Sequence, residues 1–600
     1  MSPDLLLSRR DVEFLLHEWL DVTDLLTRER YAEHDRDSVD AVLALSAELA
    51  AEHFAPHNAL SDANEPQFDG ETVTIIPEVA AAVRAFAEAG LVSAAMDAEV
   101  GGGQLPRVVQ QACFAWFQAA NVASAGYPML TMANANLLLA HATPEQVARF
   151  VPPMLDGRWF GTMCLSEPQA GSSLADVTTR AVRQPDGTFR LFGGKMWISG
   201  GDHELGENIV HLVLARVEGA PPGVKGLSLF ATPKYVVGPD GERGERNDVV
   251  LAGLNHKMGF RGTVNTVLNF GEGRFQPGGA PGAVGELVGD EGRGLAVMFH
   301  MMNEARIGVG AGAAALGYTG YLRALTYARE RVQGRPPAGK DPAAPPVLII
   351  EHADVRRMLL ASKSYVEGGL ALVLKAARLL DDQHTHPDDA TRERAGALLD
   401  VLTPVVKSWP SQWCLAANDL AIQVHGGYGY TREYGVEQLY RDNRLNPIHE
   451  GTHGIQALDL LGRKLVMARG RGLQLLVEEV HATVERARAT GTDAVVGHAD
   501  RVAEAVDRLA TAVARAWESG DPGIALVNAT TALEAAGHVV VAWLWLDQLV
   551  TVGEQAGAFY DGKRVAARYF LTHELPKVRP MLDLLASGDQ LFNEVDPASL

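Results

Sequence analysis

One carboxylate occupies the most chemically suggestive stretch of this chain, Ile448-His449-Glu450-Gly451-Thr452-His453-Gly454. Glu450 stands just ahead of apolar residues at helical spacing, Ile455, Leu458, Leu461 and Leu465. Free N–H groups and the helix dipole favour a negative charge there. Such a residue can serve as a general base or simply cap the helix. The stretch also spells HExxH, which binds zinc when both imidazoles share one face of a continuous helix. Pro447 before it, and Gly451 and Gly454 within it, oppose such a helix.

Three further segments could do chemistry. In Met163-Cys164-Leu165-Ser166-Glu167-Pro168-Gln169-Ala170-Gly171-Ser172-Ser173, a strand-like run enters a turn crowded with Ser, Gly and Pro. That turn can offer N–H groups and hydroxyls to a phosphate or to the edge of a planar cofactor, or be an ordinary surface turn. Gly194-Lys195-Met196-Trp197-Ile198-Ser199-Gly200 spaces an indole and a hydroxyl two apart, on one side of a strand. Trp197 then either walls a planar cofactor, with Ser199 as a donor to it, or fills a core. Gln423-Val424-His425-Gly426-Gly427-Tyr428-Gly429-Tyr430 has three glycines in four residues, which permits close backbone approach to a bulky group. A helix-ending turn needs only one.

Nucleotide motifs are poorly supported. Two GxxxxGK matches, Gly334–Lys340 and Gly557–Lys563, lack the following Ser or Thr, and Gly308-Val309-Gly310-Ala311-Gly312-Ala313 lies in an Ala-rich helical run.

The elements that position these segments follow from periodicity. Residues 1–158 read as a helical domain, with Val39, Val42, Leu45 and Leu49 on one face. Residues 159–290 alternate short apolar runs with Pro/Gly turns, a β-domain. Helical pattern returns over 291–465, and 466–600 forms a further helical domain in which Ala499, Val502, Val506, Leu509 and Val513 share a face. Net charge is −21, and 466–600 holds 12 Lys/Arg against 18 Asp/Glu, which argues against nucleic acid. Cys113, Cys164 and Cys414 are far apart, as expected for a reducing cytoplasm. The first 16 residues do not read as a signal peptide. The longest apolar run, 539–546, is far below the about 20 residues that span a bilayer, so no membrane insertion is expected.

Together, the four segments in this order resemble the acyl-CoA dehydrogenase family over roughly 80–465, with a C-terminal addition similar to that of a bacterial long subgroup. The resemblance implies a helical N-terminal domain, a middle β-barrel or sandwich, a C-terminal four-helix bundle and the extra helical domain. It implies α,β-dehydrogenation of an acyl-CoA with FAD as cofactor and Glu450 as the catalytic base. The alternative base position of some branches, just before Arg306, is held by Ala305.

For FAD the resemblance assigns Met163, Leu165, Ser166, Ser172, Trp197, Ser199 and Thr452, with Arg331, Gln423 and Gly427 reaching FAD from a neighbouring subunit. It therefore implies a homodimer. For substrate it assigns Ser172, Asn303, Arg306 and Gly451, and no metal is expected. An electron-transfer flavoprotein is the implied acceptor. Departures from the family pattern are His449 for a common Tyr, Ser166 for Thr, Ser173 for Asp, and a shortened Arg331-Val332-Gln333-Gly334. An acyl-CoA oxidase using O2 is the alternative within the same chemistry. A nucleic-acid-binding flavoprotein or a non-catalytic scaffold is the alternative outside it.

Overall fold

The computed structural model describes residues 2–335 and 343–600, so the Gly334–Lys340 match runs outside the described residues. The chain groups into two compact units: residues 44–105 with 120–305, and residues 2–43 with 106–119 and 306–600.

The first unit is built around a sheet of eight strands: β1 (Trp159–Cys164), β2 (Arg180–Arg183), β3 (Phe189–Ser199), β4 (Asn208–Val217), β5 (Leu227–Pro233), β6 (Val249–Leu254), β7 (Asn265–Phe270) and β8 (Ala283–Val288). Pairing runs β3–β8–β5–β4–β2 and back to β3, so five strands close a barrel. β7 pairs with the second half of β3, Gly193–Ser199, and carries β6, and β1 adds in parallel to β4. β4 is buried on both faces, which explains why Ile209 to Ala215 is apolar but for His211, itself buried and bonded to Thr162 at 2.7 Å.

The second unit is helical. The helices that matter for the site are α1 (Gly294–Glu330, which enters this unit at Arg306), α2 (Ala353–Thr385), α3 (Asp389–His425), the short α4 (His453–Asp459) and α5 (Ala529–Val552). The Ala-rich run of α1 serves close packing: a Cβ on Gly310 would stand 2.1 Å from the Val406 carbonyl oxygen of α3, and one on Gly317 2.7 Å from the Cys414 Cβ. Gly310 and Gly317 are thus helix-packing residues. Lys563 of the second GxxxxGK match lies in the helix Ala558–Tyr569, buried and ion-paired with Asp11 and, at 3.0 Å, with Glu367.

Three expectations need amendment. α5 is long and apolar enough to cross a membrane, although its longest uninterrupted apolar run is short; 83% of its most apolar window is buried within the protein, as in a core helix. The helix Arg36–Leu49 forms, but its buried face is Val39, Leu43, Ser46 and Ala47, and Leu45 is exposed. Periodicity identified the helix, and tertiary packing chose the face. Finally, the 11-residue strand β3 does not run straight: Met196 pairs with Val267 and Ile198 with Thr266, which leaves Trp197 as an extra, bulged residue.

The helix contact is testable. Gly310→Val should lower the melting temperature, because the clash is with backbone that has nowhere to move; overpacking of this kind costs about 1–3 kcal/mol. A melting curve that overlays the parent would show that α1 and α3 are not this close.

Candidate active site

In the first unit, the Ser-rich turn and the Trp197 strand are locked together. Met196 donates its N–H to the Ser166 carbonyl at 3.0 Å, and the Lys195 ammonium donates to the Leu165 carbonyl and to Glu167, each at 2.9 Å. The Glu167 carboxylate also accepts from both N–H groups and both hydroxyls of Thr178 and Thr179, and from Gln169. Lys195 and Glu167 are fully withdrawn from water. Burial acts to raise the Glu167 carboxyl, but Lys195 and the threonine donors outweigh it and bring it to about 2. Neither residue was singled out from sequence, although Lys195 on the buried side of a strand, in register with Leu191, carried the signal.

This lock presents a platform. Trp197 has φ +67°, a left-handed conformation that non-glycine residues rarely adopt, and the residue is 58% exposed. The core reading of Trp197 is thereby excluded. Ser199 is half-buried, and its hydroxyl accepts from Asn265 at 3.1 Å. Met163 and Ser166 are half-buried, Leu165 is buried and Ser172 is exposed. Among the described residues, the Ser166 and Ser172 hydroxyls have no hydrogen-bond partner, and a Cβ on Gly171 would meet nothing within 4 Å. An open ring platform beside free hydroxyls fits a planar heterocycle with a phosphate-bearing tail. Asn303, also in this unit, is exposed on α1.

In the second unit, Glu450 (φ +53°) and Gly451 (φ +88°) form a left-handed turn ahead of α4. Thr452 caps α4, its hydroxyl accepting from the Ile455 N–H at 3.4 Å. The capping reading of Glu450 is therefore replaced. The same turn separates the two imidazoles of HExxH: α4 begins at His453, and His449 lies outside it, bonded to Asn446 at 3.0 Å. The turn's carbonyls are held instead. Gln456 donates to the Glu450 carbonyl at 3.0 Å and Lys407 to that of Gly451 at 2.7 Å.

The Glu450 carboxylate makes no hydrogen bond or ion pair among the described residues, and its own N–H donates to none. It is half-buried, and desolvation raises its carboxyl above the ordinary range while Lys407 and Arg306 pull it back. Arg306 is buried and paired with Asp459 at 3.1 Å. Lys407 was missed from sequence, although a lone lysine between Val405-Val406 and Trp409 on a helix signals a buried charge. Arg331, Gln423 and Gly427 are exposed, with the Arg331 guanidinium 5.7 Å from the Tyr428 ring.

Helical segments, a closed barrel and a helical bundle in this order constitute the acyl-CoA dehydrogenase fold. A solved acyl-CoA dehydrogenase complexed with FAD from Bacillus anthracis superposes with a TM-score of 0.74 at 16% identity, covering 94% of this chain and 90% of that one. Family models match consecutively: the acyl-CoA dehydrogenase N-terminal domain over 37–158, middle domain over 162–270 and C-terminal domain over 292–466, then an acetyl-CoA dehydrogenase C-terminal-like domain over 476–596. A 3-methylmercaptopropionyl-CoA dehydrogenase of Ruegeria pomeroyi is 39% identical over 79% of this chain and 78% of its own length. The broad-specificity linear acyl-CoA dehydrogenase FadE5 of Mycobacterium tuberculosis is 34% identical over 98% of both chains. The chain belongs to the acyl-CoA dehydrogenase family of oxidoreductases, the family that its four motifs resemble.

Glu167→Gln should leave the Lys195 ammonium buried without a counter-charge and destabilise the protein by about 3–5 kcal/mol in chemical denaturation. Because the carboxyl titrates at about 2 rather than 4.5, the stability it contributes is complete above pH 4.5 and is lost as pH falls towards 2. The variant should lack that part of the acid sensitivity; an unchanged acid profile would remove the pair from this account.

Proposed function

We propose that this protein catalyses FAD-dependent α,β-dehydrogenation of an acyl-CoA thioester to the trans-2-enoyl-CoA, with Glu450 as the base that takes the α-proton. The observation that carries this reading is a carboxylate on a left-handed turn with no hydrogen bond or ion pair among the described residues, in a family whose relatives are named acyl-CoA dehydrogenases. When bound, FAD supplies the two-electron chemistry that removes the β-hydrogen with its electron pair.

The remaining work falls to the chain. Trp197, Met163, Leu165, Ser166 and Ser199 are suited to hold the flavin ring, and Ser172 to meet a phosphate. Glu450 must be ionised to accept the proton and dry enough to be a strong base; desolvation raises its carboxyl, and substrate that expels water raises it further. Its free N–H is the donor best placed on this turn to polarise the thioester carbonyl. Arg306 acts through its charge on Glu450 while Asp459 holds it, and Asn303 and Gly451 are assigned to substrate. Thr452 reaches the cofactor only through the face its capping role leaves open. Exposed Arg331, Gln423 and Gly427 support a homodimer in which they serve the neighbouring subunit's FAD, and an electron-transfer flavoprotein is the acceptor this reading expects. Three buried free thiols suit a reducing cytoplasm.

Anaerobic titration of the FAD-loaded protein with acyl-CoAs of different chain class should bleach the flavin band for one class. Glu450→Gln should still bind acyl-CoA but reduce flavin slower by about 10²–10⁴-fold. Normal turnover in that variant would discard Glu450 as the base. Stoichiometric peroxide in air without an added acceptor would make the protein an oxidase.

A further inference from the structure

Lys407 is a buried cation that the reaction above does not use. It lies on α3 between Pro404 and Pro410, and its side chain is withdrawn from water. Its ammonium donates to the Gly451 carbonyl at 2.7 Å and forms no salt bridge among the described residues. Glu450, the next residue back along the turn, is a carboxylate that acts on its charge.

From α1 comes Arg306, which is paired with Asp459 of α4, so Lys407 is the less compensated of the two cations acting on Glu450. From the turn and the start of α4 come His449 and His453, which burial first and Lys407 second push down to about 3 and about 4, with Arg444 also lowering His453. Both imidazoles are therefore neutral at working pH and cannot supply the positive field. Burial, opposed by Glu450 and aided by Arg306, brings Lys407 itself down to about 7.

The backbone points the same way. Two consecutive left-handed residues, Glu450 and Gly451, need their carbonyls held, because a non-glycine residue does not stay in that region unaided. Gln456 holds the first carbonyl, at 3.0 Å, and Lys407 the second.

We infer that Lys407 is a positioning residue for the base: its ammonium clamps the left-handed turn through the Gly451 carbonyl and keeps the Glu450 carboxyl ionised before substrate binds. This rests on the reading of Glu450 as the base.

Two substitutions separate the two parts of the role. Lys407→Gln can still donate to the Gly451 carbonyl but carries no charge, and Lys407→Met does neither. With FAD-loaded protein and an acyl-CoA that bleaches the wild type, the acid limb of kcat/KM should move up by about 1 pH unit or more in both variants, as expected when an opposite charge is lost nearby. The alkaline plateau should fall further in Lys407→Met than in Lys407→Gln. Infrared difference spectra of wild type against Glu450→Gln, recorded without turnover, should show the Glu450 carboxyl band titrating with the same limb, and the band should shift with it in the lysine variants. Variants that melt earlier but keep the wild-type limb and band would reduce Lys407 to a structural residue and overturn the inference. Should neither variant fold, the wild type decides: its limb and carboxyl band must lie where Lys407 is still charged, and a Glu450 carboxyl that ionises only after Lys407 has lost its proton overturns the inference. Normal turnover in Glu450→Gln would instead sink the base assignment, which the infrared titration alone does not address.

Discussion

A carboxylate withdrawn from water must be answered by charge or hydrogen bonds built beside it, and the two chemistry-bearing turns of this protein meet that requirement in opposite ways. Glu167 is answered completely, by Lys195 and by the N–H and hydroxyl groups of Thr178 and Thr179, and its carboxyl falls to about 2. A carboxylate that satisfied is a fastener and a poor base. Glu450 is answered only through space, by Lys407 and Arg306, and its carboxyl rises. The same side chain becomes a clamp in one place and a proton acceptor in the other because of what surrounds it.

Both turns also store unfavourable backbone. Trp197 and Glu450 are left-handed non-glycine residues, a conformation that persists only where the surroundings over-determine it. For Trp197 the determinants are the β3–β7 ladder on either side of the bulge and the Lys195 anchor beneath it. For Glu450 they are two side chains, Lys407 and Gln456, each bound to a carbonyl of the turn. In each case the strained residue is the one whose side chain is left free of protein partners or open to solvent.

Residues beyond 465 belong to the core of the second unit rather than hanging from it. Trp545 of α5 donates to the Ser364 carbonyl of α2 at 3.2 Å, and Gly368 of α2 makes room for Trp545 and Val541. Trp517 donates to the Leu461 carbonyl at 3.1 Å, just after α4, where a π-turn at Leu460–Lys464 disturbs the helical ladder. Lys563 joins Asp11 and Glu367 in a buried network with Lys363, so that the chain's first helix and its last third share one set of charges. The helix that follows Glu450 is thus braced by the extension.

Much of this was legible in the residues themselves. The order of helical and β segments, the family and the singular position of Glu450 follow from local motifs, and the face Ala499, Val502, Val506, Leu509 and Val513 is buried as its spacing requires. Periodicity and motif chemistry are short-range properties, and the sequence records them directly. The rest was settled by contacts between distant residues: Lys195 with Glu167 across 28 positions, Lys407 with Gly451 across 44, and Arg306 with Asp459 across 153. Capping by Thr452, the bulge at Trp197 and the rotated face of Arg36–Leu49 were likewise decided by packing. Whether a buried carboxylate is quenched or left reactive depends on which distant charge the fold brings beside it, and only the tertiary structure fixes that.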